Sequence, residues 1–213
     1  MAFIADAFTA GQTLTAASME ALRGNANAGH NVFTNEAARD AAITAPTEGT
    51  MAYLTAPTVP AATGNTTAVP TGVSTIYNGS VWVCTTEVAA NSPTDGTTTS
   101  GSYVTTLTGD GTAIAATLVT GTTALISLGA EVSNNANAVF THLSFSVSGA
   151  TTIAASDENG VGMNHTANYW QVVSRVFVIT GLTAGTNTFT LAYRVQSNTG
   201  TYSKRWLAAK GVA

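Results

Sequence analysis

Thr186-Asn187-Thr188-Phe189-Thr190-Leu191-Ala192-Tyr193-Arg194-Val195 alternates without a break. Phe189, Leu191, Tyr193 and Val195 fall on one side, and Thr188, Thr190, Ala192 and Arg194 on the other. Successive side chains of a β-strand point to opposite faces, so a period of two with one apolar side describes a strand lying on a core. An amphipathic helix would group its apolar residues at a period of 3.6, whereas here they fall on every second position from Phe189 to Val195.

The same pattern recurs on either side. Ala138–Val147 sets Val139, Leu143, Phe145 and Val147 against His142, Ser144 and Ser146, and Asn168–Thr180 carries Val173, Phe177 and Ile179 on one face. Thr112–Val119 and Thr122–Leu128 flank Thr120-Gly121, Tyr103–Thr108 runs into Gly109-Asp110-Gly111, Thr151–Ala155 is short, and Tyr202–Ala209 comes last. About eight strands with Gly-rich turns predict a β-sandwich over residues 102–213, of which the jelly roll is the eight-strand version. Upstream, Glu87–Gly101 holds Pro93 and many small polar residues and reads as a linker over residues 87–101. Residues 50–86 read as a small β module. Its strands are Thr50–Leu54 and a hairpin of Ser74–Tyr77 and Ser80–Cys84 about Asn78-Gly79, the strongest short hairpin signal. Residues 1–49 read as an anchor with two short helices. One spans Ala16–Arg23 behind Thr15, with Leu14, Ala16, Met19 and Leu22 as its apolar contacts; the other runs from Glu36 to about Ala42, capped by Thr34 or Asn35. Helices this short do not hold alone in water, so both are expected to dock, on this chain or on another subunit.

Composition supports a mainly β chain. Of 213 residues, 45% are hydrophobic and only 8% charged, where an average domain carries about 25% charged residues. Disorder needs the opposite balance, and a coiled coil needs Glu and Lys. From Asp40 to Ser174 there are eight acids and no Lys or Arg; from Arg175 onward there are five cations and no acid. With a net charge of -4 there is no basic patch of the strength that nucleic acid demands. The single Cys84 excludes an intrachain disulfide and a Cys-based zinc site. No apolar run approaches the roughly 18 residues of a membrane span. The opening Met-Ala-Phe-Ile-Ala-Asp has neither a basic segment nor a long apolar one, so the chain is expected to be made in a cytoplasm and not secreted by a signal peptide, although its composition suits an exposed, protein-coated surface.

Catalytic patterns do not assemble. His30, His142 and His165 lie on separate segments, Gly-x-Ser-x-Gly is absent, and there is no P-loop or dinucleotide fingerprint. Asp157-Glu158-Asn159-Gly160 lacks the distant Glu of a calcium loop. No enzyme, cofactor or metal is expected. Tyr169-Trp170, beside the polar loop 160–167, is the one aromatic pair placed to stack on a sugar or anchor a partner.

Three separated stretches carry a resemblance. Asn35-Glu36-Ala37-Ala38-Arg39-Asp40-Ala41-Ala42-Ile43, Pro46-Thr47-Glu48-Gly49-Thr50-Met51-Ala52-Tyr53-Leu54 and Ile76-Tyr77-Asn78-Gly79-Ser80-Val81-Trp82 together resemble a module of tailed-bacteriophage fibre and tail proteins. Phe8-Thr9-Ala10-Gly11-Gln12-Thr13-Leu14-Thr15-Ala16-Ala17 is similar to the opening of minor tail and appendage proteins, and Gly181–Leu191 to the late strands of trimeric jelly-roll tips. The resemblance implies a homotrimeric virion structural protein on capsid or tail, held by its N-terminal part and displaying the sandwich outward. The rival expectation is a tip that binds a host-surface glycan during adsorption.

Overall fold

The computed structural model describes residues 31–213; the helix expected over Ala16–Arg23, with Leu14, Ala16, Met19 and Leu22, lies outside the described residues. The chain is mainly β. Its strands are β1 (Asn31–Phe33), β2 (Met51–Leu54), β3 (Ala61–Thr63), β4 (Thr66–Ala68), β5 (Val73–Tyr77), β6 (Trp82–Cys84), β7 (Val88–Ser92), β8 (Gly96–Thr98), β9 (Ala115–Thr120), β10 (Thr123–Asn134), β11 (Val139–Gly149), β12 (Val161–His165), β13 (Gln171–Thr180), β14 (Gly185–Val195) and β15 (Gly200–Val212). The one helix among the described residues, α1, spans Glu36–Ala42.

Eight strands make a jelly roll. One sheet runs β13-β10-β15-β7 and the other β12-β11-β14-β9, so the chain crosses between sheets after β7, β9, β10, β12, β13 and β14. The consecutive strands β3 and β4 add one arm to each sheet, β3 beside β9 and β4 beside β7. Phe145, Phe189, Leu191, Tyr193, Leu128 and Leu207 meet between the sheets, all fully buried. Phe145 lies edge-on to Phe177 at 5.6 Å between ring centres. Each buried Phe or Leu is worth about 1.5–3 kcal/mol of transfer free energy, which is why the alternation of β14 and β11 sets the register.

A third, four-stranded sheet, β1-β2-β5-β6, forms the small module. The hairpin about Asn78-Gly79 is present, with Tyr77 opposite Trp82. Its turn covers four residues rather than two: the Asn78 amide N–H donates to the Val81 carbonyl at 3.1 Å, and Asn78 Oδ1 accepts from the backbone of Ser80 and Val81.

The linker expected over residues 87–101 is corrected. Val88–Ser92 is β7, the first strand of the jelly roll, paired with β15 from Arg205 to Ala209, and Gly96–Thr98 is β8, paired with β15 from Gly200 to Tyr202. The expected boundary at Ser102 therefore cuts through the sandwich. Small residues let β7 lie close against β15, and Val88, Ala90 and Ser92 are buried there. Tyr103–Thr108, expected as a strand, makes only isolated bridges, Val104 to Tyr193 and Thr108 to Thr97. A chain beginning at Ser102 lacks β4, β7 and β8 and leaves one side of β15 unpaired. It is expected to give no cooperative thermal transition by circular dichroism, whereas a chain beginning at Asn31 unfolds in one.

Candidate functional site

The three stretches that resemble the phage module converge in space. Asn35 caps α1, its Oδ1 accepting from the Ala38 amide at 3.0 Å. Capping sets the helix so that Arg39, buried to 6% exposure, lays its guanidinium 4.5 Å from the centre of the Trp82 ring. Trp82 in turn packs on Tyr77, ring centres 5.5 Å apart. A cation over an indole face is a favourable electrostatic contact. Beside it lies a cavity of about 220 Å³, lined by Glu36, Arg39, Leu54, Val59, Trp82 and Cys84 among others. Two of its polar groups are committed. Burial alone would raise the Glu36 carboxyl, but Thr58 N–H at 3.0 Å, Val59 N–H at 3.0 Å and the Thr58 hydroxyl at 2.9 Å donate to it and hold it below its ordinary value. Burial pushes the Cys84 thiol up, away from the thiolate that nucleophilic chemistry needs.

A second cluster lies on the outer face of the other sheet. His142 of β11 and Arg194 of β14 are register partners, and the loop 156–160 folds over them, its Ser156 and Asn159 carbonyls sharing the one Ser144 hydroxyl hydrogen at 2.7 and 3.0 Å from Oγ. This brings Asp157 onto Arg194, whose Nε donates at 2.9 Å and whose Nη2 donates to the second oxygen. The Tyr103 hydroxyl donates to Asp157 at 2.7 Å, and His142 Nδ1 lies 3.5 Å away. Gly162 faces His142 across the pair of strands; a Cβ there would stand 2.9 Å from His142 Nδ1, so no larger residue fits without moving the ring. The Arg194 hydrogen bonds, joined by Tyr103 and the nearby charges, hold the Asp157 carboxyl down at about 2 against the opposing effect of burial. Burial and the Arg194 charge keep His142 below its ordinary value, so the ring is neutral at pH 7. The cluster is an ion-pair clamp that fastens a loop through Asp157, whose carboxylate accepts from Arg194 and Tyr103.

A third set of polar groups is buried. Arg205 of β15 is fully buried, donates to Asp110 Oδ2, and donates more weakly to the Tyr193 hydroxyl and the Thr94 carbonyl, each at 3.3 Å. Asp110 also accepts from the Ser92 hydroxyl and from the Thr112 amide at 3.1 Å. Burial would raise its carboxyl; these hydrogen bonds and the Arg205 charge outweigh it and keep it ionised.

Tyr169 and Trp170 are adjacent and both face solvent, at 63% and 43% exposure, so neither serves the core. Trp170 shares its side of the chain with Val172, Val176 and Val178 of β13, which are also exposed. The sequence reading used only the inward Val173, Phe177 and Ile179 of this strand. The signal it missed was plain: the opposite positions are valines too. Nothing in the spacing foretold the Asp157 and Asp110 clusters, whose members come from distant segments. Among the described residues no group of three or more His, Cys, Asp or Glu is placed to hold a metal ion, and no helix is long and apolar enough to cross a membrane.

No protein-family model and no curated protein matches the chain. Solved structures similar to it include that of infectious bursal disease virus Gx strain, at 11% identity and a TM-score of 0.42; the match spans 65% of this chain but only 41% of the viral one. Eiger TNF from S. frugiperda matches at 10% identity and a TM-score of 0.37, over 58% of this chain and 88% of its own. The xylan-binding module CBM15 matches at 14% identity and a TM-score of 0.31, over 59% and 97%.

Two outcomes follow from the ion pairs. Asp110→Ala strands a fully buried guanidinium and is expected to cost about 3–5 kcal/mol in urea unfolding. Asp157 has a folded pKa below its unfolded value of about 3.9, so the clamp's contribution is complete above about pH 4 and is lost as pH falls toward 2. The melting temperature of the native chain should therefore drop more steeply between pH 5 and 2.5 than that of Asp157→Asn; superimposed profiles would mean the carboxylate is not clamped.

Proposed function

We propose that the chain is a structural protein of a tailed-bacteriophage virion, attached through its N-terminal part and displaying the jelly roll outward as a homotrimer. In this reading it carries out no chemistry. The observation that supports it most is that the three stretches resembling a phage module, separated in sequence, fold into one unit: Arg39 of the first lies over Trp82 of the third, and Met51–Leu54 of the second pairs with β5, which carries Tyr77 of the third. The low charge of the chain suits dense assembly, because few charged groups need be stripped of water at each contact. Repetition then multiplies weak contacts by avidity.

A second reading, a tip that binds a host-surface glycan, draws on the exposed neighbours Tyr169 and Trp170. The two readings are compatible on one particle.

Purified particles tested by mass spectrometry and by antibody labelling in micrographs are expected to contain the chain at a fixed, repeated position. Its absence from particles, with free chain in the same lysate, would overturn the virion reading. Binding of the whole chain on a glycan array, lost in Tyr169→Ala, is the result expected of the second reading.

A further inference from the structure

The cavity of about 220 Å³ lies where the small module meets the sandwich, and both supply its walls. Glu36 and Arg39 come from α1, Trp82 and Cys84 from β6, and Val119 from β9 of the sandwich. Most of the lining is apolar. Protein interiors are close-packed, and a void forfeits the contacts that its walls would otherwise make. An apolar cavity of about 150 Å³ accepts a benzene ring, so this one has room for a ring or a short alkyl chain together with a polar head.

Hydrogen bonding inside the cavity is uneven. Glu36 is spent on the Thr58 and Val59 amides and the Thr58 hydroxyl. Thr75 donates its hydroxyl to the Ala52 carbonyl at 3.1 Å, and the Cys84 thiol faces the Thr86 carbonyl at 3.6 Å. Arg39 differs. Its side chain is more than nine-tenths buried, and only one of the five N–H donors of a guanidinium is used, Nε donating to Asp40 at 2.9 Å. Nη1 and Nη2 donate to no group among the described residues. Trp82 covers one face of the guanidinium, so the ring and Asp40 hold the fork in one orientation. A buried charge with unspent donors is costly until something accepts from it.

We propose that this cavity binds a small organic acid, with its carboxylate on Nη1 and Nη2 of Arg39 and its apolar body against Leu54, Val81 and Val119. The inference goes beyond the virion reading and does not rest on it. The chemistry selects the class. A carboxylate meets a guanidinium fork with two parallel hydrogen bonds. A cation is repelled by Arg39, and a neutral amide offers one acceptor oxygen where two donors wait. A bare inorganic anion leaves the apolar walls uncovered, and a sugar brings hydroxyls that those walls cannot satisfy. Asp40, the acid paired with Arg39, is more than half exposed, so water and salt screen its repulsion. Because α1, β6 and β9 all line the cavity, a bound acid ties the module to the sandwich and stabilises both by linkage.

Calorimetric titration of the full chain with hexanoate and with benzoate tests this. Saturable binding in the millimolar range or tighter is expected, with a rise in melting temperature at saturation. Hexanamide and benzamide share the shape without the charge and should bind about ten- to a hundredfold more weakly. Acetate, a head without a body, should also bind more weakly than hexanoate. Arg39→Met should bring hexanoate and hexanamide to equal affinity. Arg39 also packs on Trp82, so a second variant guards against a folding defect: Val81→Phe fills the cavity, leaves Arg39 in place, and should abolish binding with the thermal transition intact. No binding at millimolar concentration would overturn the proposal. Hexanamide binding as tightly as hexanoate would leave only an apolar hole, and acetate binding as tightly would leave only a cation; either result overturns it too, as does binding that survives in folded Val81→Phe.

Discussion

A guanidinium sealed from water fixes the way this chain closes. Arg205 sits on β15, the central strand of its sheet, with no exposed surface. A buried charge without partners costs several kcal/mol, so the fold is bound to bring them. It does so from four places: Asp110 from the turn before β9, Ser92 through Asp110 from the end of β7, Thr94 from the connection to β8, and Tyr193 from β14 across the sandwich. Each partner fixes a segment whose own sequence is weakly directive. β7, the Gly109-Asp110-Gly111 turn and the contact between the two sheets are thereby set in one register. The pair's merit is less in net stability than in specificity, since alternative pairings of β7 would draw Ser92 away from Asp110 and Thr94 away from Arg205.

The jelly roll was legible where physics is local. β11 and β14 alternate cleanly and bury the predicted Leu143, Phe145, Phe189 and Leu191. α1 was legible from Asn35 and a short run of helix formers, and the hairpin from Asn78-Gly79. The errors share a cause. Val88-Ala89-Ala90-Asn91-Ser92 has little strand propensity of its own and becomes β7 because β15 offers it an edge and Arg205 needs Ser92 and Asp110 nearby. Val161–His165, with Gly162 and Asn164, became β12 for the same reason, by pairing with β11. Tyr103–Thr108 alternates like a strand but lies where β14 has room for a single bridge. The candidate sites were less legible still. Tyr169 and Trp170 were found as a local pair, whereas the Asp157 clamp gathers Tyr103, His142 and Arg194 from segments far apart in sequence.

The two sheets of the sandwich face solvent differently. One exposes Val172, Val176 and Val178 along its edge strand β13; the other carries the Asp157–Arg194 clamp and the exposed Phe140. Between sandwich and small module there is no free linker among the described residues: β3 and β4 tie the intervening segment to both sheets, and Val83 of β6 abuts Gly211 of β15 so closely that a Cβ there would stand 2.5 Å away. The module that resembles one of phage fibre and tail proteins is thus joined closely to the sandwich.

The central structural claim is that β7 belongs to the core of the sandwich and not to a connection between domains. Native-state hydrogen exchange on the full chain tests it most directly. The account predicts that the amides of β7 which pair with β15 exchange only through global unfolding, with the same free energy of opening as β10 and β15. Exchange of Val88–Ser92 at the rate of an open loop, while β10 stays protected, would contradict it.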